Sequence, residues 1–431
     1  MTNTSIMLFT RDLRVGDNPA LAAACRADRV VPLFVFDDAI LTGSFGAPNR
    51  VWFLLDCLAD LRASLRGLGG DLVVRRGDPV AEVARLARRT GARSLFLADE
   101  RSGYATRRLD GLRGAGLEVL PCPGVTVVPP GELTPADGDH YRVFTPYWRV
   151  WAATRPRPVA DVPAAVRLPS GVRPGPLPRP AALVAGPPSP DRDRGGEQAG
   201  RERMTAWLRS SADDYEQVHD DLAADRTSRL SAYLKFGCLS PLEVAKAGPE
   251  AFRRQLAWRD FHHQVAAAFP ALAVRDYRPR GQRWKRDPGA LDAWRDGRTG
   301  VPIVDAGMRQ LRREGFMHNR ARLITASFLT RNLGIHWREG LRHFNDWLTD
   351  GDIADNAGNW QWVAGTGNNT RPGRVLNLLR QASRFDPRGD YVRRYIAELA
   401  DVDGSIVHRP WTLPAARRRG LGYPPPIIDV E

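Results

Sequence analysis

The sequence predicts an N-terminal doubly wound parallel-sheet (Rossmann-like) α/β domain, a long connector and a C-terminal all-helical domain. Three observations carry that prediction. Over residues 1–125 short apolar runs alternate with amphipathic stretches. Residues 126–200 are dense in Pro, Gly and Arg. From 201 to 431 apolar residues recur at helical spacing. A chain of 431 residues has room for two or three domains.

In the first region SIMLFT (5–10), VVPLFVF (30–36), DLVVRR (71–76), SLFLAD (94–99) and LEVLP (117–121) read as buried strands. Between them 50–66 and 79–90 carry the apolar spacing of helices. Strands that alternate with helices imply a parallel sheet, and such sheets bind planar ligands beyond the carboxyl ends of their strands. A G-x-G-x-x-G dinucleotide fingerprint is missing from this region. Proline removes backbone donors and stops helices, so 126–200 is expected to run over the surface. The aromatic block RVFTPYWRVW (142–151) interrupts it and is expected to anchor one end. Beyond it, helices are predicted over 201–211, 229–247, 251–268, 302–314, 319–333 and 338–349.

Hydrophobic residues make up 43% and charged residues 26% of the chain, which excludes a wholly disordered protein. The net charge of +14 would attract polyanions. Nearly all of that charge is arginine, with lysine only at 235, 246 and 285. A GC-rich genome would produce the same bias, so charge alone leaves a nucleic-acid partner open. Cys25, Cys57, Cys122 and Cys238 form no C-x-x-C pair, which argues against a disulfide framework or zinc ribbon and fits a reducing cytoplasm. No metal is expected. The N-terminal residues show no secretion signal, and no apolar run reaches 18 residues, so no membrane association is expected.

Chemistry concentrates in the second half. Nine of the twelve tryptophans follow residue 200. Any one of them could simply fill a helical core. Three segments set theirs among polar groups or gather polar residues at a helix start: QLAWRDFHHQ (255–264), FMHNRARLITASFLTRN (316–332) and DGDIADNAGNWQW (350–362). Buried polar groups at this density each need a partner, so the segments point to a site.

With TRDLRVGDNPAL (10–21), RVFTPYWR (142–149), TSRLSAYLKFGCLSP (227–241) and GRTGVPIVDAGMRQL (297–311), these segments resemble the photolyase/cryptochrome family of flavoproteins, and in detail its class I cyclobutane pyrimidine dimer photolyases. The motifs cover both domains in family order. The resemblance implies that the helical domain holds FAD. The cofactor-binding positions it implies are Tyr215, Thr227, Ser228, Arg229, Leu230, Ser231, Gln255, Arg259, Arg322, Asp350, Asp352 and Asn356. Hydroxyls and free backbone N–H groups in the 227–231 stretch suit a diphosphate. Asn356 matches the residue facing the flavin nitrogen that is protonated on reduction, where an amide can present either its oxygen or its nitrogen.

Trp284, Trp337 and Trp360 match the family's electron-transfer tryptophans. Gln255, Trp258, Asn319, Asn356 and Trp362 match positions at the reacting centre, with Trp258 and Trp362 against a flipped dimer. Photolyases are a standing example of base flipping. Trp258, Arg259, Asn319, Arg320, Trp362 and Gln381 match DNA-side positions. The implied activity is light-driven repair of cyclobutane pyrimidine dimers by an electron from photoexcited reduced FAD, with DNA as partner and a monomer as the expected state. An antenna chromophore is also implied, either 8-hydroxy-5-deazaflavin or methenyltetrahydrofolate; ADERSGYATRR (98–108) lies in the right region without deciding between them.

The sequence departs from the class I pattern at several positions. Gln255 replaces the usual Glu, Leu323 replaces Met, and RPGRVLNL (371–378) lacks the usual aromatics. His219 stands where some members have Arg. The (6-4) enzymes pair histidines where this chain has Asn319 and Leu323, so (6-4) repair ranks low. A cryptochrome-like blue-light sensor is the alternative reading, weakened because no long extension follows PPPIIDVE (424–431).

Overall fold

The computed structural model describes residues 3–43 and 45–430. The N-terminal half is built from β1 (Thr4–Leu8), α1 (Pro19–Ala24), β2 (Arg29–Phe36), α2 (Asp38–Leu41), α3 (Pro48–Gly67), β3 (Val73–Arg76), α4 (Pro79–Thr90), β4 (Ser94–Ala98), α5 (Gly103–Arg113) and β5 (Glu118–Cys122). The five strands are parallel in the order β3-β2-β1-β4-β5. Ile6 of β1 lies between Val31 of β2 and Leu95 of β4. The chain reverses direction across the sheet at β1, so the carboxyl edge opens between β1 and β4.

Alternation along the strands feeds two cores. Ile6, Leu8, Val31, Leu33 and Val35 pack with Val83, Leu86, Leu109 and Leu112 of α4 and α5. Met7, Phe9, Phe34 and Phe36 face the other way, in one continuous core with α3 and the helical half. Both faces of the central β1 and β2 are covered, which is why they read as unbroken apolar runs. The segments 71–76 and 117–121, expected as buried strands, are the sheet edges, where β5 is half-buried with Glu118 exposed and β3 ends on half-buried Arg75 and exposed Arg76. Asn18, Asp37, Asp78 and Ser102 cap α1, α2, α4 and α5 through side-chain oxygens.

The connector holds α6 (Phe144–Ala153). Its Tyr147 and Trp151 are buried, and Trp151 Nε1 donates to Asp260 at 2.9 Å. The aromatic block therefore anchors the connector on the helical half. The prolines that follow lie along the sheet, where Val166 N donates to Leu68 O, Val30 N to Arg167 O and Val74 N to Pro174 O. A proline-rich extended segment accepts from β2 and β3 without offering a new edge to pair with.

The remaining helices are α7 (Glu197–Ser210), α8 (Tyr215–Val218), α9 (Ser231–Phe236), α10 (Pro241–Ala247), α11 (Glu250–Ala268), α12 (Pro288–Arg295) and α13 (Pro302–Glu314). Then come α14 (Asn319–Ser327), α15 (Trp337–Trp347), α16 (Ile353–Ala364), α17 (Leu378–Phe385), α18 (Asp390–Tyr395) and α19 (Ala415–Leu421). The single helix expected over 229–247 is broken into α9 and α10. Gly237 (φ +69) makes the break, and a Cβ there would lie 1.9 Å from Arg11 O. The turn is where the helical half touches the loop after β1. The helix expected over 319–333 ends at Ser327 and passes into a π turn, Phe328–Asn332. No helix among the described residues is long and apolar enough to cross a membrane.

Candidate functional site

A cavity of about 400 Å³ lies among α9, α11, α14, α15 and α16, within the usual size range of ligand pockets. Three helices line it by one rule. Helix α11 presents Gln255, Trp258, Arg259 and His262, α14 presents Asn319, Arg322, Leu323 and Ala326, and α16 presents Asn356, Asn359, Trp360 and Val363. Each set has i, i+3, i+4, i+7 spacing, so each is one face of one helix. The three polar segments singled out in the sequence thus meet around one space. Ser228, Leu230, Ser231, Asp350, Asp352 and Trp362 complete its wall among the expected residues.

The deep end is charged and paired. Arg322 donates from Nη2 to Asp350 Oδ2 at 2.8 Å, while buried Asp350 Oδ1 has no partner among the described residues. Arg259 donates to Val125 O (2.6 Å) and Leu234 O (3.5 Å). Asp352 caps α16, accepting from Ala354 N and Asp355 N, and pairs with Arg11 from the sheet domain. Burial pushes the Asp352 carboxyl up, but Arg11 and then His263 outweigh it and hold it well below the usual carboxylate range. Burial, reinforced by the Asp352 charge, raises Asp355. Burial and then His263 bring His262 down to about 4, so its ring is neutral at physiological pH. His263, Asp352 and Asp355 bring one ligand atom each within 4.8 Å of one another; the Arg11 guanidinium already supplies positive charge there.

A depressed carboxylate contributes stability above its unfolded pKa of about 3.9 and loses it as pH falls through its folded pKa. Replacing one partner of a buried pair strands the other, at about 3–5 kcal/mol. Asp352→Asn is therefore expected to lower the melting temperature most at neutral pH. The gap to the parent protein should narrow below about pH 4 in melts taken across pH.

The mouth is aromatic and more open. Gln255 and Asn319 are exposed, and Trp258 and Trp362 are half-buried. Trp258 stacks on Phe144 of α6 at 3.7 Å between centroids and 8° between planes. Trp360 is buried against Phe344 (4.9 Å) and fits the notch at Gly340 of α15, one turn from Trp337. Trp337 is fully buried and donates from Nε1 to Asp276 Oδ1 at 2.8 Å. Trp284 is half-buried and shares His336 with Trp337 (4.9 and 5.6 Å). Trp360 and Trp337 are thus both buried, and Trp284 is the one of the three that reaches solvent.

Several expected residues stand outside this wall. Tyr215 is buried behind Phe252, edge to face at 5.3 Å. Thr227 borders a neighbouring polar groove that meets the cavity at Ser228, and its buried Oγ1 has no partner among the described residues. Arg229, held at φ +53, turns its guanidinium away to Asp225 and Glu314. Arg320 pairs with Asp220 and lies over Phe385. Gln381 is buried on α17. Sequence reasoning missed Lys235, Asp355, His262 and Arg11. All four lie inside the quoted motifs, but nothing in their spacing marks them.

A second cavity of about 490 Å³ opens at the carboxyl edge of the sheet. Leu8–Arg11, Phe34–Asp37 and Glu100–Tyr104 line it, joined by Arg107 and Arg108. Tyr104 donates to Asp37 at its floor. The 98–108 segment therefore forms one wall. Lys235 and Asp352 face both cavities, and burial, then Arg50 and Arg11, brings the Lys235 ammonium down to about 7.

Residues 5–166 match the family described as DNA photolyase, and residues 252–431 match the FAD binding domain of DNA photolyase. The chain is 52% identical to a deoxyribodipyrimidine photo-lyase of Streptomyces griseus, over 99% of this chain and 97% of the relative. Among solved structures, a bacterial class III photolyase from Agrobacterium tumefaciens superposes with a TM-score of 0.91 at 33% identity, covering 100% of this chain and 95% of that one. An archaeal photolyase from Sulfolobus tokodaii, described with two FAD molecules that imply a novel light-harvesting cofactor, gives 0.87 at 30% identity, covering 99% and 96%.

Proposed function

The chain belongs to the photolyase/cryptochrome family, and from that membership we propose that it is a light-driven lyase that repairs cyclobutane pyrimidine dimers in DNA, with FAD in the helical cavity. One observation carries the reading. A charged inner wall and an indole-lined mouth belong to the same cavity, with Asn356 between them. The residues present fit FAD: the partnerless Asp350 Oδ1 is a buried acceptor where a ligand donor is wanted, and the partnerless Thr227 hydroxyl, in the groove that meets the cavity at Ser228, can donate to a phosphate oxygen. Arg259, Arg322, Asp350, Asp352 and Asn356 would hold the group, with Ser228, Leu230 and Ser231 toward its polar end. Bound there in its reduced form, FAD supplies a single electron under illumination.

The chain's own residues do the rest. Trp258 and Trp362 offer flat faces to an extruded pyrimidine pair, whose unstacking costs less than that of intact bases. Gln255 and Asn319 supply neutral hydrogen-bonding groups at the rim, so lesion contacts are made without a carboxylic acid. Leu323, Ala326 and Val363 keep the wall between them dry. Neutral His262 adds no charge. Trp360, Trp337 and Trp284 offer a route of oxidisable indoles from the cavity toward solvent. The +14 surplus supports DNA through phosphate contacts. The sheet-edge cavity is the place for a planar antenna chromophore, between Phe34, Phe36 and the arginines of 101–108.

The test is illumination of the photoreduced, FAD-loaded protein with two oligonucleotides, one carrying a cyclobutane dimer and one a (6-4) product. Blue-light loss of the cyclobutane dimer alone is expected. A loaded protein that repairs neither lesion sinks the reading, and repair of the (6-4) product alone reassigns the substrate.

A further inference from the structure

We propose that Asn345 is a positioning residue: it ties the side-chain nitrogen of Asn356 back to α15, so that the amide presents its oxygen to the cavity and favours the reduced flavin. The inference rests on the reading that FAD occupies this cavity with its reactive ring toward Asn356.

Asn345 is buried on α15, between Phe344 and Leu348, which line the cavity. Asn356 sits in the first turns of α16, where its backbone N–H donates to Asp352 O at 2.9 Å. Its Nδ2 donates to Asn345 Oδ1 at 2.7 Å. A side-chain amide has one donor end and one acceptor end. With the donor end held by α15, the acceptor end is the one left for the cavity. Burial of the Asn345 side chain gives that pin a fixed place, since the helix carrying it is packed on both sides of the residue.

The consequence is chemical discrimination. A reduced flavin carries an N–H where the oxidised ring has a bare nitrogen acceptor. An amide oxygen opposite that atom pairs with the first and confronts the second with another acceptor. A free amide could rotate and satisfy both; the bond to Asn345 Oδ1 biases Asn356 against that turn, which would need both amides to flip together. One hydrogen bond gained in one state and withheld in the other corresponds to about tenfold in relative affinity. For a two-electron couple a tenfold change is about 30 mV.

The test is the midpoint potential of the FAD-loaded full chain, measured spectroscopically for the parent protein, N345L, N356A and the double variant. N345L is expected to lower the potential by about 30 mV, equal to a tenfold loss of preference for reduced flavin. That shift is expected to vanish in the N356A background, because Asn345 acts through Asn356. If leucine perturbs the melt, N345A gives the same readout with less bulk. An unchanged potential in N345L, or an equal shift in both backgrounds, overturns the inference while leaving the cofactor site standing. A protein that binds no flavin, or whose potential ignores N356A, removes the underlying reading and the inference falls with it.

Discussion

Replacing Arg322 with methionine is expected to strip the protein of flavin and to destabilise what remains. The guanidinium is the charged partner of Asp350 at 2.8 Å and also donates from Nε to Met317 O at 2.8 Å. Asp350 is almost fully buried and already has one oxygen without a partner. Removing the arginine leaves a buried carboxylate uncompensated, at about 3–5 kcal/mol. Flavin affinity is expected to fall about a hundredfold, equivalent to about 2.7 kcal/mol, because the same pair shapes the inner wall. The two effects separate in the variant that also carries Asp350→Leu. With both charges gone most of the lost stability returns, whereas the flavin does not. Flavin-to-protein ratios and melts of the stripped proteins check this. A double variant that retains flavin at the parent ratio would reduce the pair to scaffolding.

That pair shows how far the sequence was legible. Arg322 and Asp350 sit in separate motifs 28 residues apart, and each motif advertised itself by polar density. The central strands were legible for a related reason: burial of β1 and β2 on both faces leaves unbroken apolar runs, and these are visible one residue at a time. Helices α1, α5 and α16 carry no such signal. Their small or polar residues satisfy a cap, a surface or a cavity rather than a core stripe. The break at Gly237 was hidden because it answers to Arg11 O, more than two hundred residues away. Arg11 itself meets Asp352 across 341 positions, and no local pattern encodes such a contact. Arg229 shows the opposite limit. It lies in the 227–231 stretch, yet its positive φ and ion pairs turn the guanidinium away from the cavity, an outcome set by Asp225 and Glu314.

The double replacement of Trp258 and Trp362 by alanine is expected to abolish preference for damaged DNA while sparing binding to intact DNA. Stacking of a base on an aromatic side chain contributes about 1–3 kcal/mol. Two indoles against one extruded pair therefore account for about 2–6 kcal/mol, from about thirtyfold to above ten-thousandfold in discrimination. Trp258 has the stronger claim. Its indole is stacked on Phe144 at 3.7 Å, meets Phe261 at 5.6 Å and lies 5.8 Å from His262. A ring held on that many sides has little rotamer freedom left to lose on binding. If phosphate contacts fall elsewhere on the arginine-rich surface, affinity for undamaged duplex and its salt slope should hold nearly constant. The comparison must be made at one salt concentration, with matched oligonucleotides that differ only in the dimer. Trp258→Phe, which keeps a stacking face over Phe144, should recover part of the preference. Should the alanine pair still choose the damaged strand as well as the parent protein does, the mouth of the cavity is not where the lesion is read.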